Sequence, residues 1–168
     1  MGFLFAKNMK YHKLSETQFY EMHEEFAVFL ASQGINKEEW EQIKNTNILS
    51  VDELFETFSD LVWEKILINC KFLEYTSPDQ IFLFETLNEV VNVFVIKVPK
   101  GFIDLTTDEG FTKVLDQLQQ KQVNILEASR SYEPSRSEFI YNYLRKGATL
   151  SQGERFRRLQ TYFSNSSK

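Results

Sequence analysis

Residues 71–98 read KFLEYTSPDQIFLFETLNEVVNVFVIKV, and this stretch decides the fold. Its three runs, Lys71–Thr76, Gln80–Glu85 and Val90–Val98, concentrate Phe, Ile and Val, which suit a pleated, half-buried surface. Ser77-Pro78-Asp79 turns the chain between the first two runs, and Leu87-Asn88-Glu89 joins the second to the third. Connections this short favour antiparallel pairing, because a parallel crossover needs about a dozen residues or more. Pro99 and Gly101 end the stretch, and Val123–Ala128 is a candidate fourth strand.

Helical signals lie on both sides. Capping boxes pair a Ser, Thr or Asn with a Glu or Gln three residues on, satisfying backbone amides at a helix start. They occur at Ser15…Gln18, Asn36…Glu39, Ser50…Glu53, Thr106…Glu109, Ser135…Glu138 and Ser151…Glu154. The first predicted helix, over 15–33, places Phe19, His23, Phe26 and Leu30 on one face and stops at Gly34. A shorter helix spans 36–45. In the next, over 50–69, Leu54, Phe58, Leu61 and Val62 face one way while Glu53, Asp60 and Glu64 face the other. Further helices are predicted over 107–120, 136–146 and 152–163. Strands clustered between helical runs give an α+β fold, with a small antiparallel sheet of three to four strands flanked by amphipathic helices. No repeat or interdomain linker is visible, so the reading is one α+β domain up to residue 150, with 151–168 as a basic amphipathic C-terminal helix and tail.

Composition excludes more than it names. A chain of 168 residues suits one domain and buries roughly 70% of its unfolded surface. Sixteen Phe, seven Tyr and two Trp supply a core that needs no metal or disulfide. Six Gly and three Pro argue against collagen-like or low-complexity sequence. No run approaches the ~20 apolar residues that span a bilayer, and Gly2–Ala6 is too short for a signal-peptide core. The single cysteine, Cys70, favours a reducing, cytoplasmic setting.

Residues able to carry chemistry are few. No glycine spacing writes a phosphate loop. His23-Glu24-Glu25-Phe26 lacks the second histidine of a zinc helix, and His23 falls in an apolar stripe, where it reads as a core histidine holding one hydrogen bond. Cys70 reads as a small apolar filler. Glu53, Glu56, Asp60 and Glu64 put carboxylates one turn apart, as a cation site would, yet a solvated helix face explains them equally. No catalytic residue, metal ligand or cofactor is assigned.

Charge placement is more informative. The formal charge of -5 hides an acidic front, with twelve acids against three lysines over 15–66, and a basic end, with eight bases against three acids over 129–168. Arg130, Arg136, Arg145, Lys146, Arg155, Arg157 and Arg158 share one sign, with Tyr132, Tyr141, Tyr143 and Tyr162 among them. Arginine suits phosphate because its planar fork bonds two oxygens, and both it and tyrosine stack on bases. The plainer alternative docks Phe156, Leu159 and Phe163 on the domain and pairs the arginines with the protein's own acidic front.

Several stretches resemble a family of small bacterial proteins restricted to one lineage and without a described activity. They are Met9-Lys10-Tyr11, His23–Phe26 with Glu39-Trp40-Glu41, and Phe58-Ser-Asp-Leu-Val-Trp-Glu64, then Gln80–Phe84, Asp104-Leu-Thr-Thr-Asp-Glu-Gly110 and Lys146-Gly147-Ala148. The match covers most of 9–150 and sets Met1–Asn8 apart as an N-terminal extension. The family looks like an accessory protein of the large ribosomal subunit. The resemblance therefore implies a non-enzymatic, cytoplasmic protein whose partners are ribosomal RNA and neighbouring ribosomal proteins. Arg130, Arg136, Arg145, Lys146, Arg155, Arg157 and Arg158 would then lie on phosphates and Tyr162 on a base. DNA, a membrane and a small-molecule substrate have no place in this reading. The alternative is a protein-binding adaptor or immunity-type inhibitor that meets a basic partner through Glu53, Glu56, Asp60 and Glu64.

Overall fold

The computed structural model describes residues 10–166. The proposed extension, residues 1–8, lies outside them. The chain forms two compact units, 1–66 and 67–168. The segment from 151 onward, set apart as a tail in the sequence reading, falls within the second unit.

The first unit is helical: α1 (Glu16–Glu21), α2 (His23–Ser32), α3 (Lys37–Thr46) and most of α4 (Ile48–Asn69). The boxes at Ser15 and Asn36 form as expected. The predicted 15–33 helix is instead broken at Met22, which ends α1 and begins α2. At the break, His23 Nδ1 sits 2.9 Å from the Tyr20 carbonyl oxygen, which also accepts from a backbone amide of the cap. His23 is consequently exposed, not a core residue. The core is aromatic, with Phe19, Phe26 and Phe29 packed around Phe58 and ring centroids 4.6 Å apart for Phe19–Phe55 and 5.1 Å for Phe26–Phe58.

Helix α4 starts before its expected box. The Asn47 side chain accepts from the Ser50 amide, so Asn47 takes the capping role expected of Ser50. Its middle holds the largest departure from the expected pattern. Asp60, placed by periodicity on the acidic face, is 4% exposed. Its two carboxylate oxygens accept from the backbone amides of Lys10 (3.2 Å) and Tyr11 (3.0 Å). Ser59 Oγ accepts from the Leu14 amide, and Trp63 Nε1 donates to the His12 carbonyl. The segment 10–14 is thereby strapped along the helix. At about 100° per residue, Phe58, Val62, Ser59, Trp63 and Asp60 sweep one continuous covered arc. Leu61 lies outside it and is 48% exposed, contrary to its expected place on the apolar stripe. Asp60→Ala leaves two amides without their charged acceptor. It should lower unfolding free energy by roughly 2–4 kcal/mol in urea titrations, with a loss below about 1 kcal/mol contradicting the strap.

The second unit is a five-stranded antiparallel sheet: β1 (Phe72–Ser77), β2 (Gln80–Thr86), β3 (Val90–Lys97), β4 (Asn124–Ser131) and β5 (Thr149–Ser151), in the order β4-β3-β2-β1-β5. The first four strands and their antiparallel pairing follow the sequence reading. β5 is additional, so the sheet has five strands, not three to four. Its three residues are too few to show a period of two.

Helices α5 (Asp108–Leu115) and α7 (Glu154–Ser166) cover one face, burying Ile81, Leu83, Phe94, Ile96, Phe111, Phe156 and Leu159. On the other face α6 (Arg136–Lys146) sets Phe139 and Tyr143 against Phe84, with centroids 5.5 and 4.7 Å apart. Two caps shift slightly from expectation. Thr107, not Thr106, accepts from the Gly110 amide at the start of α5, because Asp104 occupies Thr106. Gly153 turns β5 into α7 at φ 82°, and a Cβ there would meet the Phe72 ring at 2.5 Å.

Candidate RNA-binding surface

The seven proposed cationic residues belong to the sheet unit and divide by what already occupies them. Arg136, at the start of α6, is enclosed by carbonyls. Nη1 donates to Leu67 (2.7 Å), Nη2 to Cys70 (2.5 Å) and Thr86 (3.3 Å), and Nε to Leu87 (3.2 Å). Four of the five guanidinium protons are engaged in this way, and a phosphate would have to displace four backbone acceptors. Tyr132 joins the same clamp by donating to the Leu87 carbonyl at 2.6 Å.

Arg155 is also committed. Its side chain is 17% exposed, over the Phe111 ring at 4.9 Å, and it pairs with Asp108 and, at 3.9 Å, with Glu74. Burial pushes the Glu74 carboxyl above its usual range and outweighs the nearby Arg155 charge. Arg155 is thus neutralised within the protein, but by Glu74 of β1 and Asp108 of α5 and not by the acidic front that the plainer alternative named.

Arg145, Lys146, Arg157 and Arg158 are exposed. Arg145 and Lys146 end α6, Arg145 donating to the Tyr141 hydroxyl (3.1 Å) and the Lys146 ammonium lying 4.8 Å from the Tyr143 ring. Arg157 and Arg158 leave the first turns of α7 over the rings of Phe72 (5.0 Å) and Phe111 (5.5 Å). Topology relates the two pairs. Residues 147–148 connect α6 to β5, residues 152–153 connect β5 to α7, and the two helices cover opposite faces. The short edge strand β5 is thus preceded in the chain by one exposed cation pair, at the end of α6, and followed by another, in the first turns of α7. Lys71, at the start of the neighbouring β1, is exposed as well.

Arg130 stands apart on β4, at the opposite edge. Tyr162 is half-buried: its ring meets Phe163 at 5.4 Å and its hydroxyl lies 3.5 Å from Gln119 Nε2, which leaves it badly placed to stack on a base. In the helical unit, Glu53, Glu56 and Glu64 are half-buried on α4, and Asp60 serves the strap described above. Sequence patterning missed β5 as the organising edge. Its one local signal is the pair of glycines, Gly147 and Gly153, that bracket it.

Cys70 is buried, and burial pushes its thiol above the usual range despite the Thr86 hydroxyl at 3.6 Å. Among the described residues no group of three or more His, Cys, Asp or Glu is placed to hold a metal ion, and no helix is long and apolar enough to cross a membrane.

These features define an α+β chain built from a helical unit and a five-stranded antiparallel sheet, with exposed cations on the two helices that precede and follow its short edge strand β5. The chain belongs to a family described as "Family of unknown function (DUF6495)", whose profile matches residues 9–164. No curated protein and no solved structure matches it.

Proposed function

We propose that the protein is a non-enzymatic, cytoplasmic accessory component of the large ribosomal subunit, and that it binds ribosomal RNA along the β5 edge. The observation that carries this reading is the placement of four exposed cations on the two helices that precede and follow β5. Arg145, Lys146, Arg157 and Arg158 flank one short strand, where a phosphate backbone can run between them. Phosphate contacts set affinity and position on RNA, so four such groups give useful binding even on a chain with a formal charge of -5. The resemblance noted in the sequence supplies the ribosomal setting, and neighbouring ribosomal proteins would share the footprint. The adaptor alternative is weakened because Asp60 is withdrawn from the acidic face of α4.

Filter binding to large-subunit ribosomal RNA across a salt series tests the reading. Arg157→Ala with Arg158→Ala should reduce the slope of log affinity against log salt by roughly 1.4–1.8. Arg145→Ala with Lys146→Ala should do the same. Parental affinity and slope in both double variants would reject the β5 edge as the RNA-binding surface.

A further inference from the structure

At the other end of the sheet, β4 offers its outer edge along eight residues, and among the described residues no strand pairs with it. Such an edge presents unpaired amides and carbonyls, and native sheets usually blunt it with proline, a bulge, a cover or charged side chains, of which β4 has only Glu127 and Arg130. β4 (NILEASRS) contains no proline and pairs in continuous register with β3 from Val90↔Ser131 to Lys97↔Asn124. It is regular and largely exposed.

The two faces beside this edge differ. On the face that α7 covers, a half-open hollow of about 270 Å³ is lined by Asn92 and Phe94 of β3, Glu127 and Ser129 of β4, and Phe156 and Gln160 of α7. Asn92 Nδ2 is held by Glu85 at 2.9 Å, which brings a second carboxylate next to the hollow. No Lys or Arg lines it. An aromatic floor with a carboxylate rim suits the alkyl stem and charged head of a lysine or arginine. On the opposite face Leu126 is 54% exposed beside its cross-strand neighbour Val95. That position takes an apolar residue.

A strand added to β4 turns successive side chains to opposite faces. We infer that the β4 edge receives an extended segment of a basic partner protein, in which Lys or Arg alternates with apolar residues. The cations enter the hollow by Glu127 and the apolar residues cover Leu126. Main-chain pairing supplies affinity, and the unlike faces supply sequence preference and orientation. The site is distinct from the β5 edge, so it stands or falls separately from RNA binding.

The test titrates an acetylated, amidated peptide of sequence TVKVKVT into the isotope-labelled full chain, followed by NMR. Amide shifts should concentrate at residues 124–131. Glu127→Lys, a change at an exposed position, should weaken binding by about ten-fold or more, as should replacing the peptide lysines by glutamate. N-methylating alternate peptide amides should weaken it further on one of the two registers, because those amides supply the ladder. The inference is overturned by absence of binding at about 1 mM peptide, by shifts that map away from β4, or by an affinity that Glu127→Lys leaves unchanged. It is equally overturned if the free chain is a dimer with β4 amides already protected from exchange, which would give the edge to a second copy. Competition by an RNA oligonucleotide that shifts the same β4 amides would assign the edge to nucleic acid and reject the peptide.

Discussion

Arg136→Met is expected to lower the unfolding free energy by about 3 kcal/mol, the range for losing bonds to a charged group and stranding their buried partners. That corresponds to a fall of roughly 6–12 °C in Tm for a chain of this size. The guanidinium gathers carbonyls from three places: the last turn of α4 (Leu67), the link into β1 (Cys70), and the end of β2 with its turn (Thr86, Leu87). Terminal carbonyls of a helix lack intrahelical donors and carry the negative end of its dipole, so a cation there is favoured twice. Methionine reproduces much of the stem and none of the five donors. Arg136→Lys keeps the charge without the planar fork and should recover only part of the loss. Equal stability of Arg136→Met and the parent in urea would show that the clamp is incidental.

Gly110→Ala should be comparably damaging, and its sign is diagnostic. In an exposed helix the change from glycine to alanine stabilises by up to about 1 kcal/mol. Here the added Cβ would fall 1.7 Å from the Asp104 carbonyl oxygen and 2.7 Å from its carbon, both backbone atoms. Relief requires α5 to move away from the Asp104–Thr107 turn, and Phe111 and Val114, buried in the sheet core, move with it. The cost should reach about 3 kcal/mol, the upper end for an overpacked site. Thermal unfolding followed by circular dichroism measures it, and a raised Tm would refute the close approach.

The same two residues mark what could be read in the chain beforehand. Antiparallel pairing of β1, β2 and β3 was legible because the runs are β-rich and the turns between them are short. The caps at Ser15, Asn36 and Ser135 were legible because capping is local. Where two polar residues compete for one helix start, local rules slip: Asn47 displaces Ser50, and Thr107 displaces Thr106 once Asp104 has taken its neighbour. The motif Asp104–Gly110 proves to be this turn and its tight helix contact. The cations were visible as a cluster, but which of them are enclosed by the protein's own carbonyls and carboxylates was not. Arg136 meets Leu67 and Arg155 meets Glu74 only through tertiary structure, and no sequence spacing encodes either pairing. Asp60 misled for the same reason, since its partners are backbone amides some fifty positions away.

The most direct measurement of the central claim is sedimentation of the tagged full chain with ribosomes in a sucrose gradient at moderate salt. The parent should travel with the large subunit and leave it after nuclease treatment. A variant carrying Arg145→Glu, Lys146→Glu, Arg157→Glu and Arg158→Glu should remain at the top while keeping the parental circular dichroism spectrum. Co-sedimentation of that folded variant with the subunit, or a parent that never enters the ribosomal fractions, would contradict the account.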